Sequence, residues 1–137
     1  MEQFAVDENF YRAVKRSEPS VIRSDGKPSS ALFKNQCSKN GIGISVDCKD
    51  GRNIDEVKSA MIQFFTPRLK AIFQFGINDV KNSKVTVLRS PSAVNQHHAE
   101  VYKNIAKEPL SNLQALMLAE ACEKVYWNDG CEWTTNR

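Results

Sequence analysis

Runs in which apolar residues alternate, interrupted by two helix-capping signatures, predict an α+β fold. The expected molecule is one domain spanning residues 1–137, with a mixed or antiparallel sheet and two amphipathic helices. Length agrees, because 137 residues build one core, whereas two halves would each be too small to hold one. Composition agrees too. With 41% hydrophobic and 26% charged residues, the chain is not disordered, collagenous or a coiled coil.

The elements follow in chain order. Phe10 to Lys15 reads as a first strand. Ser24-Asp25-Gly26-Lys27-Pro28 is a turn, since Gly26 supplies positive φ and Pro28 stiffens the exit. Ile42 to Val46 is a clearer strand, with Ile42, Ile44 and Val46 on one face and Gly43 and Ser45 on the other. Lys49-Asp50-Gly51 ends it. Asn53 then caps a helix, and Glu56 completes a capping box three residues on. Ile54, Val57, Met61, Phe64 and Phe65 fall on one face of that helix, which Pro67 stops near Phe65. Ala71 to Phe75, Lys84 to Leu88 and His98 to Tyr102 read as strands. Ser111 caps the second helix, with Gln114 as its reciprocal partner and Leu110 as a staple. Its apolar stripe is expected to be Leu113, Leu116, Met117, Ala121 and Val125, with Gln114, Glu120 and Lys124 toward water. An aromatic tail, about 126–137, closes the chain.

The net charge is +3, from 19 basic and 16 acidic residues, which is mild for a nucleic-acid binder. The acidic N-terminus lacks a secretory signal pattern, and no apolar run reaches membrane-spanning length. A cytoplasmic protein with no membrane association is expected. Cysteines at 37, 48, 122 and 131 show neither Cys-x-x-Cys nor a nearby histidine, so reduced, mostly buried thiols and no metal are expected. No cofactor motif is present. Gly41-Ile42-Gly43 lacks the third glycine and the following helix of a dinucleotide fingerprint.

Four features carry chemistry. Residues 12–39 hold seven Lys or Arg against two acids, and Phe33 adds a stacking face. Within that stretch Arg12, Lys27, Ser29, Ser30 and Lys34 are the candidate anion-binding residues, because hydroxyls and amides after a rigid turn suit an anion. The alternative is a solvated surface with serines that shape a turn. His97 and His98 are the only histidines. In a strand they face opposite ways, and His98 shares a face with Glu100, which can orient the ring for acid–base work. The structural alternative is a hydrogen-bonded surface histidine. Trp127 and Trp133 either anchor an interface, such as a homo-oligomer, or fold back to seal the core edge.

Read together, Phe10-Tyr11-Arg12, Asp25-Gly26-x-x-Ser29-Ser30-x-x-Phe33-Lys34 and Gly43-Ile44-Ser45-Val46-Asp47 give a pattern. It resembles a set of small bacterial proteins from mobile or accessory genes, over about residues 10–105. That resemblance implies a bacterial cytosolic protein and transfers no activity. Arg12, Ser45 and Glu100 also resemble, in order and type, the Arg–Ser–Glu set of ADP-ribosyltransferase-like toxin domains. That likeness implies a nicotinamide cofactor and a catalytic Ser45 and Glu100.

The sequence therefore points first to a binding module for a protein or a small anionic ligand. A nucleotide- or RNA-directed enzyme using Ser45, His98 or Glu100 is the alternative, and a non-catalytic nucleic-acid binder the third reading.

Overall fold

In the computed structural model, residues 4–34 and 43–134 are described. Both capping signatures form. Asn53 Oδ1 accepts the Glu56 amide at 2.8 Å while Glu56 returns the bond to the Asn53 amide, opening helix α1 (Ile54–Phe65). Ser111 and Gln114 exchange the same pair of bonds ahead of helix α3 (Asn112–Ala121). Between them lies a third helix that no capping pattern announces, α2 (Ile77–Ser83), two turns long and entered directly from a strand. Asp79 accepts the Gly76 amide at 2.8 Å to start it.

Among the described residues six strands pair into one sheet: β1 (Asn9–Lys15), β2 (Ile44–Cys48), β3 (Leu69–Gly76), β4 (Thr86–Arg89), β5 (His98–Tyr102) and β6 (Glu123–Trp127). Their order is β4-β5-β2-β1-β3-β6, and every neighbouring pair is antiparallel. The fold is thus α+β in a single small domain, with three α-helices among the described residues rather than the two expected. Ile42, expected in the second strand, lies outside the described residues.

Alternation along the strands sends side chains to two faces. On one face Phe10, Val14, Ile44, Val46, Phe73, Phe75, Ala99 and Val101 meet α2, α3 and a 3₁₀ turn (Ser30–Phe33) in the main core. Phe75 ties that core together, touching Phe10 at 5.4 Å and Phe33 at 5.5 Å between ring centroids. On the other face Tyr11 and Ile72 pack under Val57 and Met61 of α1. This second layer covers β1 and β3, while on the β2–β5–β4 half the same face carries Ser45, Asp47, His98 and Glu100 beside Tyr102 and Leu88.

Three expectations about burial are corrected. The core face of α3 is Ala115, Leu118 and Ala119, whereas Leu113, Leu116 and Met117 are exposed. Apolar residues occur all round this helix, so bulk alone does not mark its inner face. The alanines let α3 sit close to Leu32 and Phe33. Gln114 turns inward to donate toward the carbonyls of Ser83, Lys84 and Lys103. Phe64 of α1 is 51% exposed. The expected helix running to Val125 ends instead at Ala121, and the chain returns as β6.

Candidate functional site

β1 and β2 pair only at Phe10/Cys48 and Tyr11/Asp47, then diverge. Arg12 fills the opening. Its Nε–H donates to the Leu32 carbonyl at 3.0 Å and its Nη1 to the Ser45 carbonyl at 2.9 Å. Arg12 is therefore a clip between two strands and the 3₁₀ turn, a role the sequence did not suggest. Both partners are neutral, and among the described residues no carboxylate lies in ion-pair contact with this guanidinium. Burial lowers its pKa from the ordinary arginine value, and the more distant Glu18 opposes that. The group stays charged.

Over this splay a cleft of about 520 Å³ opens on the α1 side of the sheet. Its apolar wall is Met61, Phe64 and Phe65 from α1. Its floor includes Tyr11, Ala13, Ser45 and Asp47, and the Ser90–Asn95 loop with Val94 closes the far side. Arg12, Lys15, Glu18 and His98 supply the charged and titratable groups. The two acids, like Arg12, bond neutral groups: Asp47 accepts from Asn95 Nδ2 at 2.9 Å, and Glu18 accepts the Lys15 amide at 2.9 Å.

His98 reaches the cleft because β5 pairs Asp47 with His98 and Ser45 with Glu100, placing all four on one face. Its Nδ1 lies 2.9 Å from the Ser90 carbonyl. A carbonyl carries no proton, so Nδ1 is the donor and the neutral ring keeps a lone pair at Nε2. Glu100 shares the face but does not orient His98. It accepts the Tyr102 hydroxyl at 2.8 Å. Burial, with the Glu100 bond and its charge behind it, pushes the Tyr102 phenol up to about 12.

The expected anion-binding set is divided. Arg12 lines the cleft, whereas Lys27, Ser29, Ser30 and Lys34 do not. Ser29 caps the 3₁₀ turn, its Oγ accepting the Ala31 amide and donating to the Ser20 carbonyl. Ser30 is the first residue of that turn and Lys34 follows its end. The Lys27 amide donates to Asp25, which also pairs with Arg23 at 2.8 Å. Of the basic stretch, Lys39 lies outside the described residues, as does Cys37.

His97 has a separate setting. Its Nδ1 is 2.7 Å from Asp50 Oδ2, and Arg89 grips the same carboxylate at 2.8 and 3.2 Å. Burial works to raise the Asp50 pKa, but bonds and charge from Arg89 and His97 prevail and hold it below the ordinary carboxylate value. Buried Glu8 accepts the amides of Asn9, Lys49 and Asp50, fixing the turn that presents Asp50.

Trp127 and Trp133 fold back on the body of the protein, 6.1 Å apart and edge to face. Between them lies Lys70, 5% exposed, its Nζ 4.8 and 5.3 Å from the two rings and donating to the carbonyls of Asn128 and Cys131. The Thr134 amide bonds the Arg16 carbonyl, so the tail is anchored at both ends.

Sequence reasoning named Arg12, Ser45 and His98, and the structure brings these three to one cleft. It missed Lys15, Asp47, Phe64 and the Ser90–Asn95 loop. Only the Ser90-Pro91-Ser92 turn chemistry hinted at a shaped loop there. Among the described residues no group of His, Cys, Asp and Glu is arranged to hold a metal, and no helix is long and apolar enough to cross a membrane. Set against known protein families, curated proteins and solved structures, the chain finds no match.

Proposed function

We propose that the protein binds a small anionic ligand in the cleft between α1, the β1–β2 splay and the Ser90–Asn95 loop. Arg12 holds the anionic group, and Met61, Phe64 and Phe65 receive an apolar body. One observation carries the reading: the Arg12 guanidinium, set in the β1–β2 splay that lines the cleft, is bonded only to neutral carbonyls. A part-buried charge bonded only to neutral acceptors attracts an opposite charge more strongly than one in bulk water, and an anion supplies it. Two of its five N–H groups meet those carbonyls, which leaves donors for a carboxylate or phosphate. A small domain with mixed apolar and convergent polar lining is the usual form of a ligand site.

The test is a thermal-shift series at low salt with inorganic phosphate, mononucleotides and aromatic monocarboxylates. Ser45→Trp serves as the blocked control, because Ser45 is exposed on the cleft floor and tryptophan suits a strand. At least one anion with an apolar body is expected to raise the melting temperature of the native chain and not of Ser45→Trp. A shift that survives Ser45→Trp, or no shift across the series, refutes the assignment.

A second reading rests on His98. A lone pair at Nε2, fixed by the Ser90 carbonyl, fits a general base acting on the bound ligand. Turnover of a bound mononucleotide, lost in His98→Gln with binding retained, distinguishes catalysis from binding alone.

A further inference from the structure

A second cleft, of about 470 Å³, adjoins the first. The two share Asp47, Phe64, Ser92, Val94 and Asn95, so a single ridge divides them. Phe64 and Val94 on that ridge are 51% and 76% exposed. Phe65 meets Phe64 edge to face at 4.9 Å and leaves half of the Phe64 surface open.

The second cleft has its own guanidinium. Arg52 Nε donates to the Lys49 carbonyl at 3.0 Å and Nη2 to the Cys48 carbonyl at 2.7 Å. Like Arg12 it is held by neutral acceptors, with no carboxylate in ion-pair contact among the described residues. The exposed Phe64 ring thus lines both clefts, each of which also has one arginine in its lining, and Asp47, bonded to Asn95, lies on the shared ridge.

We infer that the ligand spans the ridge and is a nucleoside carrying a phosphate on each side, its base on Phe64 and its phosphates at Arg12 and Arg52. The inference rests on the anion-binding reading of the first cleft and extends it. Bases stack on aromatic side chains whatever their identity, and guanidinium groups grip phosphate with paired N–H bonds. A free nucleoside bisphosphate and one unit of a single strand share this chemistry. An acidic peptide fits less well, because it needs main-chain partners along its length and the ridge offers side chains.

The experiment is calorimetric titration of the whole chain at low salt with adenosine 3′,5′-bisphosphate, adenosine 5′-monophosphate, a three-nucleotide adenylate strand and an Asp-Phe-Asp peptide. The bisphosphate is expected to bind at least about tenfold more tightly than the monophosphate, and Phe64→Ala to weaken both by roughly tenfold. Arg52→Gln should remove the advantage of the second phosphate. Because Arg52 also holds a turn, Val94→Glu gives an independent check. It places a carboxylate on an exposed position and should weaken the bisphosphate more than the monophosphate. A strand that binds as tightly as the bisphosphate supports the inference and identifies the strand as the source, and a weaker strand supports it with the free nucleotide as the source. Equal affinity for the two nucleotides overturns the two-cleft inference and leaves the single-cleft function standing. No binding of either nucleotide overturns the nucleotide inference and leaves the single-cleft function to the phosphate and aromatic monocarboxylate arms of the thermal-shift series, and tighter binding of the peptide overturns the nucleotide assignment alone.

Discussion

Replacing Gly43 by alanine tests how the cleft edge is built. An added Cβ would stand 2.8 Å from Tyr102 Cζ, 2.9 Å from its Oη and 3.0 Å from Glu100 Cβ. Carbon atoms in good contact sit roughly 3.5–4.0 Å apart, so something must move. The ring has little room to do so, being 7% exposed with its hydroxyl bonded to Glu100 at 2.8 Å. Overpacking of this kind costs about 1–3 kcal/mol. The Gly43 backbone is not left-handed, so alanine also stiffens the unfolded chain and offsets about 0.4–1 kcal/mol of that. A net loss on the order of 1–2 kcal/mol is expected, read from urea unfolding followed by circular dichroism. The control is the same change in a Tyr102→Val background, where the opposing ring is gone. There Gly43→Ala should be neutral or slightly stabilising, giving a coupling of about 1–2 kcal/mol. An equal loss in both backgrounds would refute the contact as the reason for glycine.

Three further outcomes follow from the charges and the tail. The Tyr102 phenol, raised to about 12, leaves stability intact below the ordinary tyrosine pKa of about 10 and lowers it progressively as pH rises from there toward 12; Tyr102→Phe should flatten that part of the stability-versus-pH curve. Asp50, held below the ordinary carboxylate value, contributes stability that is full above that value and is lost as pH falls through its folded pKa. Asp50→Asn should therefore be destabilised near neutrality and lose less than the native chain on acidification, as chemical denaturation between neutral and acid pH will show. Lys70→Met removes the donor to the Asn128 and Cys131 carbonyls and the cation between two indoles. A loss of about 2–4 kcal/mol and a shifted tryptophan emission are expected, and an unchanged spectrum would contradict the folded-back tail.

Local signals in the sequence were faithful where the physics is local. Asn53 with Glu56 and Ser111 with Gln114 announce helix starts, because a capping box is closed within four residues. The inner face of α3 was hidden, since Leu113, Leu116 and Met117 look more like core than the alanines that occupy it. β6 was hidden for a related reason: Val125 continues a helical spacing, and only pairing with β3 makes it a strand. The site is less legible still. Arg12, Ser45 and His98 are suspicious residue types, but their meeting depends on strand register across the sheet and on the early parting of β1 from β2. Lys70 gave no sign, because it precedes the apolar Ala71–Phe75 run and its burial depends on the distant tail that folds over it.

Binding of an anion by Arg12 in the first cleft is tested most directly at the Arg12 side chain itself. Its Nε–H, held by the Leu32 carbonyl, can be followed by ¹H–¹⁵N correlation spectroscopy during titration with adenosine 5′-monophosphate at low salt. Saturable shifts of that signal together with the amides of Ala13, Ser45, Asp47 and Phe64 are the predicted result. Shifts confined to Lys27, Ser29, Ser30 and Lys34, with the Arg12 signal unmoved, would place the anion on the turn instead and contradict the account.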